Sequence, residues 1–142
     1  MIEVLLKITG AHAYDQAEED KMEFMTEGKL YHRGETIFLT YDESELTGLS
    51  GCKTRLALEP SRVSMTRRGA SIGIDTEIHF EEGKRFQGYY DTAFGPVEME
   101  VLTNRLQNNV TPSGGDIDID YNISLKGLGE GRSRLSINVR PQ

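Results

Sequence analysis

Apolar and polar residues alternate along most of this chain. The clearest example is the stretch 114–125, where isoleucine, tyrosine and leucine at odd positions alternate with aspartate, asparagine and serine at even positions. A period of two places the two sets on opposite faces of a β-strand, and β-branched residues favour a pleated surface. This stretch is therefore predicted to be a strand with one buried face and one solvated face.

The same alternation recurs in about ten short segments separated by glycine and proline turns, which predicts an all-β sandwich or barrel. Because closure hides strand edges, we favour a closed or nearly closed antiparallel meander barrel of about 8–10 strands that spans residues 1–142 as one domain. The first strand is predicted to end at Gly10, and residues 11–21 to form a loop or short helix across one mouth. Hairpin turns are predicted at Glu82-Gly83 and at residues 128–131.

Composition and charge narrow the functional classes. The net charge of −7 works against non-specific binding to nucleic acid. No apolar run is long enough for a membrane helix, and the N-terminus lacks the apolar core of a signal peptide. Cys52 is the single cysteine, so no internal disulfide can form. We therefore expect a soluble cytoplasmic protein without a nucleic-acid or membrane partner.

Several polar residues share the parity of the apolar residues in their strands and are expected to point into the barrel. A buried charge is costly unless it is paired, so Arg67 is expected to meet Glu43 or the anionic group of a ligand. One interpretation is a salt bridge that plugs one end of the barrel. The other is a polar anchor in an apolar ligand pocket. The candidate ligand-binding residues are Tyr41, Glu43, Arg67, Tyr90 and Thr103.

Motifs for catalysis or metal binding are weak. Glu43 and Glu45 could form a carboxylate pair, but an acidic loop has the same pattern. Asp116 and Asp118 are separated by about 6.6 Å on a strand, which is too far for one Ca²⁺ coordinated at about 2.3–2.6 Å. The histidines lack metal-ligand spacing, and Cys52 has no histidine nearby in the sequence. We predict no metal, no cofactor and no enzymatic activity.

Four basic residues share the outward parity of two successive predicted strands. They could form one basic patch that binds an acidic partner or a phosphate. The alternative is ordinary surface charge balanced by acidic neighbours. The four residues are Lys53, Arg55, Arg62 and Arg68.

Two longer motifs carry a family resemblance. They are YDESELTG at residues 41–48 and YYDTAFG at residues 89–95, accompanied by TRRG at 66–69 and FEEGKR at 80–85. Together they resemble the bacterial YwiB-like family, a domain of unknown function with a lipocalin-like, calycin-type β-barrel. The resemblance implies this fold over nearly the whole chain and implies no established activity, because a fold alone does not define a function.

The leading functional hypothesis is a non-catalytic barrel that binds a small, partly apolar ligand, with Arg67 as the anchor of an anionic group. The alternative is a structural or protein-interaction module with a solid core, whose surface pairs with another protein or with a second copy to form a homodimer. A cofactor-free enzyme with a carboxylate at the barrel mouth is a third possibility.

Overall fold

The computed structural model describes residues 1–14, 20–43, 51–69, 74–92 and 95–142. Ten antiparallel β-strands account for most of this part of the chain. They are β1 Ile2–Tyr14, β2 Asp20–Arg33, β3 Thr36–Asp42, β4 Lys53–Leu58, β5 Arg62–Gly69, β6 Ile74–Glu81, β7 Arg85–Thr92, β8 Gly95–Asn108, β9 Gly115–Leu125 and β10 Gly129–Pro141.

The predicted alternation is present in the burial of the side chains. In β4, Thr54, Leu56 and Leu58 are buried, whereas Lys53 and Arg55 are exposed. A strand that shows one face to the core and the other to water gives this pattern. The sequence prediction of which face points inward is therefore correct for this strand.

The strands form one nearly closed barrel with meander connectivity, as predicted. Their order in the sheet is β6-β5-β4-β3-β2-β1-β10-β9-β8-β7. The first and last strands pair over a long antiparallel ladder from Val4↔Pro141 to Tyr14↔Gly131. The sheet is thus joined through its chain-terminal strands, and its two edges, β6 and β7, face each other.

Apolar side chains fill the interior from its middle to one end. Residues from both halves of the sheet meet there, and removing their surface from water is the main stabilising contribution to such a core. The largest fully buried side chains are Phe80, Leu6, Leu30, Leu39, Leu56, Leu58, Ile117, Ile119, Ile137, Val4, Val63 and Val101.

Three local predictions were wrong. Instead of a loop or helix over residues 11–21, β1 continues to Tyr14 and β2 begins at Asp20, because pairing with β10 extends β1 beyond its alternating stretch. Glu82-Gly83 reverses the chain, but the strands on either side are not joined in a ladder. The final turn lies at residues 126–128, so residues 129–131 already belong to β10.

None of the residues that the structure describes forms a helix long and apolar enough to cross a membrane.

Candidate functional site

Strand register aligns inward-facing residues of β2 to β6 in one row near the end of the barrel opposite the apolar core. The row runs Gly28–Tyr41–Thr54–Arg67–Thr76, each residue being the cross-strand partner of the next. Thr54 and Thr76 are buried, and Tyr41 is 5% exposed. Arg67 therefore lies between two buried threonines, with Tyr41 one strand beyond Thr54.

Glu43 completes a buried polar cluster with Arg67. Its backbone N–H donates to the carbonyl of Cys52 at 2.9 Å, which holds the residue in line with β3. Arg67 Nη2 lies 3.4 Å from Glu43 Oε1. The hydroxyl of Thr54 donates to the same carboxylate oxygen and accepts a hydrogen bond from Arg67 Nε at 3.3 Å. The side chain of Glu43 is 1% exposed and that of Arg67 is 19% exposed.

The surroundings of Arg67 keep its guanidinium charged. Burial alone would lower the pKa of this group, but the negative charge of Glu43 and the neighbouring tyrosine hydroxyls raise it, and the net shift is upward. Those tyrosines are Tyr41, Tyr90 and Tyr121, which come from three different strands. The cluster thus holds one full positive charge beside one carboxylate and three phenol groups.

Two of these tyrosines are held in the neutral form. Burial raises the pKa of Tyr41, and the charge of Glu43 raises it further. Burial also raises the pKa of Tyr121, although Ser133 and the charge of Arg67 act in the opposite direction. Neutral phenols retain their hydrogen, so both groups remain hydrogen-bond donors at physiological pH.

A cavity of about 560 Å³ opens beside this cluster at the barrel mouth. Tyr41, Glu43 and Arg67 line one side. Tyr90 and Tyr121 line it as well, and the ring of Tyr121 packs against the core residue Phe80 with centroids 5.0 Å apart. The remaining described wall residues are Ile8, Gly10, Ala11, His12, Asp20, Lys21, Met22, Phe24, Ser133, Arg134 and Leu135.

The structure brings four of the five predicted site residues to this cavity. Thr103 is inward-facing as predicted, but it is fully buried and is not part of the cavity wall. It is the cross-strand partner of Tyr121. Its hydroxyl has no hydrogen-bond partner among the described residues.

Several wall residues were not predicted from the sequence. His12 and Ser133 are cross-strand partners on β1 and β10, and His12 Nδ1 is hydrogen-bonded to Ser133 Oγ. His12 has the parity of Ile8, and Ser133 has the parity of Leu135. Extending the alternation of each strand identifies both residues, although the acidic composition after Gly10 favours a loop at His12.

The other predicted features have more ordinary environments. Glu45 lies outside the described residues. Within the described ranges, no group of three or more histidine, cysteine, aspartate or glutamate residues could hold a metal ion.

The aspartates of β9 are hydrogen-bonded to side chains of β10, and hydrogen bonds from Arg132 lower the pKa of Asp120. These outer pairs are Asp116 with Asn138, Asp118 with Ser136, and Asp120 with Arg132.

The four residues of the predicted basic patch are exposed, as expected from their parity. Two of them pair with an acidic side chain, which fits ordinary balanced surface charge, and Arg55 lies over an aromatic ring. Lys53 lies 3.9 Å from Asp42, Arg68 lies 3.3 Å from Asp75, and Arg55 stacks 4.4 Å from the ring centre of Phe38.

Comparison with known proteins places this barrel in a family. The family described as "Domain of unknown function (DUF1934)" matches residues 6–137. The chain belongs to this family. It is 26% identical over 111 residues to the uncharacterized β-barrel protein YwiB of Bacillus subtilis (strain 168), a match that covers 78% of this chain and 75% of that protein.

A solved structure supports the fold. The crystal structure of the ywiB protein from Bacillus subtilis matches with a TM-score of 0.85 at 21% sequence identity, covering 99% of this chain and 92% of that one. The family resemblance predicted from the sequence motifs is therefore confirmed, as is the barrel. The DUF1934 family is a domain of unknown function, and the mouth cavity is the feature of this chain that suggests one.

Proposed function

We propose that this DUF1934 protein is a non-catalytic binding protein that holds a small, partly apolar ligand with an anionic group in its mouth cavity, in the manner of lipocalin-like barrels, in the cytoplasm. Arg67 anchors the anionic group, and Tyr41, Glu43 and Tyr90 surround the Arg67 guanidinium. Thr103 supports Tyr121 from behind the wall. The observation that carries the proposal is a charged guanidinium at the wall of a cavity of about 560 Å³.

The size and lining of the cavity support a small-molecule ligand. Ligand pockets in proteins are typically about 300–1,000 Å³, mostly apolar, with a few convergent polar groups. Here Ile8, Phe24 and Leu135 supply apolar wall. The polar groups converge at Arg67. This division favours a ligand with an apolar body and one polar end.

The charge of the cavity favours an anion. Lys21, Arg67 and Arg134 are the cationic residues of the described wall, and Asp20 and Glu43 are the anionic ones. The described part of the wall therefore has an excess of positive charge in a chain whose net charge is −7. Such a local reversal of sign attracts anionic ligands over cationic ones.

Arg67 retains capacity for a ligand although it is paired with Glu43. Charge-assisted hydrogen bonds of this kind are usually about 2.7–2.9 Å long, whereas Nη2 lies 3.4 Å from Glu43 Oε1. The Thr54 hydroxyl also bonds to that oxygen. A guanidinium has five N–H donors in a planar fork that suits carboxylate and sulfonate groups. Glu43 and Thr54 thus orient Arg67 without using all of its donors.

The proposal is tested with a matched pair of fluorescent probes. Anilinonaphthalene sulfonate is an aromatic anion, and phenylnaphthylamine is the same ring system without the sulfonate. We expect saturable binding of both, with the anion bound more tightly. The Glu43→Gln/Arg67→Met double variant removes the cation without leaving a buried unpaired carboxylate. It should weaken binding of the anion by roughly tenfold or more and change binding of the neutral probe by less than about threefold.

Two further variants sharpen this test. Arg68→Met removes an arginine from the adjacent, outward-facing position and should leave binding of both probes unchanged. Glu43→Gln alone removes the competing carboxylate and should tighten binding of the anion several-fold. Equal losses for both probes in the double variant would contradict an anion anchor. Failure of wild-type protein to bind either probe, with a concentration-dependent dimer in light scattering, would instead support the interaction module.

A further inference from the structure

Within the described residues, β6 and β7 are the only consecutive strands that are not joined by a ladder. They are linked by a short turn and lie side by side, yet they form the two edges of the sheet. We call the boundary between them the β6–β7 seam. Every other boundary between neighbouring strands in the described part of the chain is a ladder, so the seam is the boundary at which backbone pairing is missing.

Side chains replace the ladder at the mouth end of the β6–β7 seam. The backbone N–H of Asp75 donates to Asp91 Oδ2 at 2.7 Å. The backbone N–H of Asp91 donates to Thr76 Oγ1 at 3.2 Å. The carboxylate and the hydroxyl thus accept the bonds that backbone carbonyls accept in a ladder. Asp91 takes part in both bonds.

The opposite end of the β6–β7 seam is anchored to β8. The N–H of Gly83 donates to the carbonyl of Thr103 at 2.8 Å, and the N–H of Thr103 donates to the carbonyl of Lys84 at 3.2 Å. Within the turn, the N–H of Lys84 donates to the carbonyl of Glu81 at 3.0 Å. Because β8 holds the turn with two backbone bonds, the turn end of the seam is the more firmly held of its two ends.

The weak end of the β6–β7 seam lies beside the proposed ligand anchor. Arg67 is the cross-strand partner of Thr76, and Tyr90 directly precedes Asp91 in β7. Arg67 and Tyr90 both line the mouth cavity. Separation of β6 from β7 at Asp91 would therefore widen the mouth between these two wall residues.

We propose that the two strands separate at the mouth end of the β6–β7 seam during ligand exchange, which widens the mouth cavity, and that the Asp91 carboxylate is the latch that holds the strands together. This inference rests on the proposed function. Local opening in proteins occurs where few bonds must break, and at this end of the seam the described residues join the two strands by two hydrogen bonds instead of a ladder. The latch controls the rates of ligand exchange more than the affinity, because Asp91 is not part of the cavity wall.

The test uses Asp91→Ala in the full chain, with two readouts. Amide hydrogen exchange, followed by NMR, should become roughly tenfold or more faster at Asp75, as expected for loss of a bond to a charged acceptor. Stopped-flow fluorescence with anilinonaphthalene sulfonate should show association and dissociation both accelerated by similar factors, with the dissociation constant changed by less than about threefold. Asp91→Asn keeps an acceptor oxygen, so both accelerations should be smaller in this variant than in Asp91→Ala.

Asp118→Ala is the matched control. The Asp118 carboxylate also accepts a cross-strand hydrogen bond, from Ser136, but a ladder joins those two strands, so neither readout should change. Unchanged exchange at Asp75 and unchanged probe rates in Asp91→Ala overturn the latch. If the anion still binds in an Arg67-dependent manner, the proposed function stands without it. Absence of saturable probe binding in wild-type protein overturns both.

Discussion

The pairing of Glu43 with Arg67 predicts an asymmetric response to mutation. Arg67→Met leaves the Glu43 carboxylate, whose side chain is 1% exposed, without its cation. Removing one partner of a buried ion pair typically lowers the free energy of unfolding by about 3–5 kcal/mol. Because the pair is 3.4 Å apart and the Thr54 hydroxyl still bonds to the carboxylate, we expect a loss near the lower limit, about 3 kcal/mol.

The reverse change should cost less. Glu43→Gln retains an acceptor for the Thr54 hydroxyl, and Arg67 is 19% exposed at the wall of a water-accessible cavity. We expect a loss of about 1 kcal/mol. The double variant Glu43→Gln/Arg67→Met contains no buried charge and should be more stable than Arg67→Met by about 1–2 kcal/mol.

Urea denaturation followed by circular dichroism measures these free energies of unfolding, since the chain contains no tryptophan. Arg68→Met is the control: its arginine pairs with Asp75, both side chains are at least 70% exposed, and the change should stay within about 0.5 kcal/mol. The loss of free energy of unfolding in the double variant could equal the sum of the losses in the two single variants. In that case Glu43 and Arg67 are not coupled, and the description of the polar cluster is refuted.

Two other predictions follow from the barrel interior. The buried Thr103 hydroxyl has no hydrogen-bond partner among the described residues. Thr103→Val should therefore raise the free energy of unfolding by about 1 kcal/mol. A decrease of that size in the free energy of unfolding would mean that the hydroxyl is hydrogen-bonded. Because the pKa of Tyr41 is raised on folding, its contribution to stability is complete below the unfolded pKa of about 10 and declines as pH rises through the folded pKa. Tyr41→Phe should therefore flatten the alkaline decline in urea midpoint, and an identical decline in both proteins would contradict the assignment.

Much of the barrel and of its polar cluster could be predicted from alternation alone. Tyr41, Arg67 and Tyr90 lie in strands without an irregularity between them and the apolar residues that set the phase. Glu43 follows β3 in the same phase. Parity therefore identified the inward face. It could not provide distances, so neither the Glu43–Arg67 separation nor the cavity was predictable.

The predictions that were wrong concern segments whose structure depends on pairing between strands that are distant in the sequence. Alternation fades after Gly10, but the ladder with β10 carries β1 on to Tyr14 and so brings His12 to the cavity wall. The Glu82-Gly83 signal correctly indicates a chain reversal. It cannot indicate whether the two strands pair, because that depends on where the sheet closes. Closure through β1 and β10 leaves β6 and β7 as edges.

The proposed function requires that the mouth cavity hold a small ligand in the cell. Native mass spectrometry of the full protein purified from its own cells, compared with the same sample after denaturation, tests it most directly. We predict a reproducible added mass that is lost on denaturation and is strongly reduced in the Glu43→Gln/Arg67→Met variant. A native mass equal to that of the bare chain would mean that the cavity carries no ligand in the cell and would overturn the proposed function.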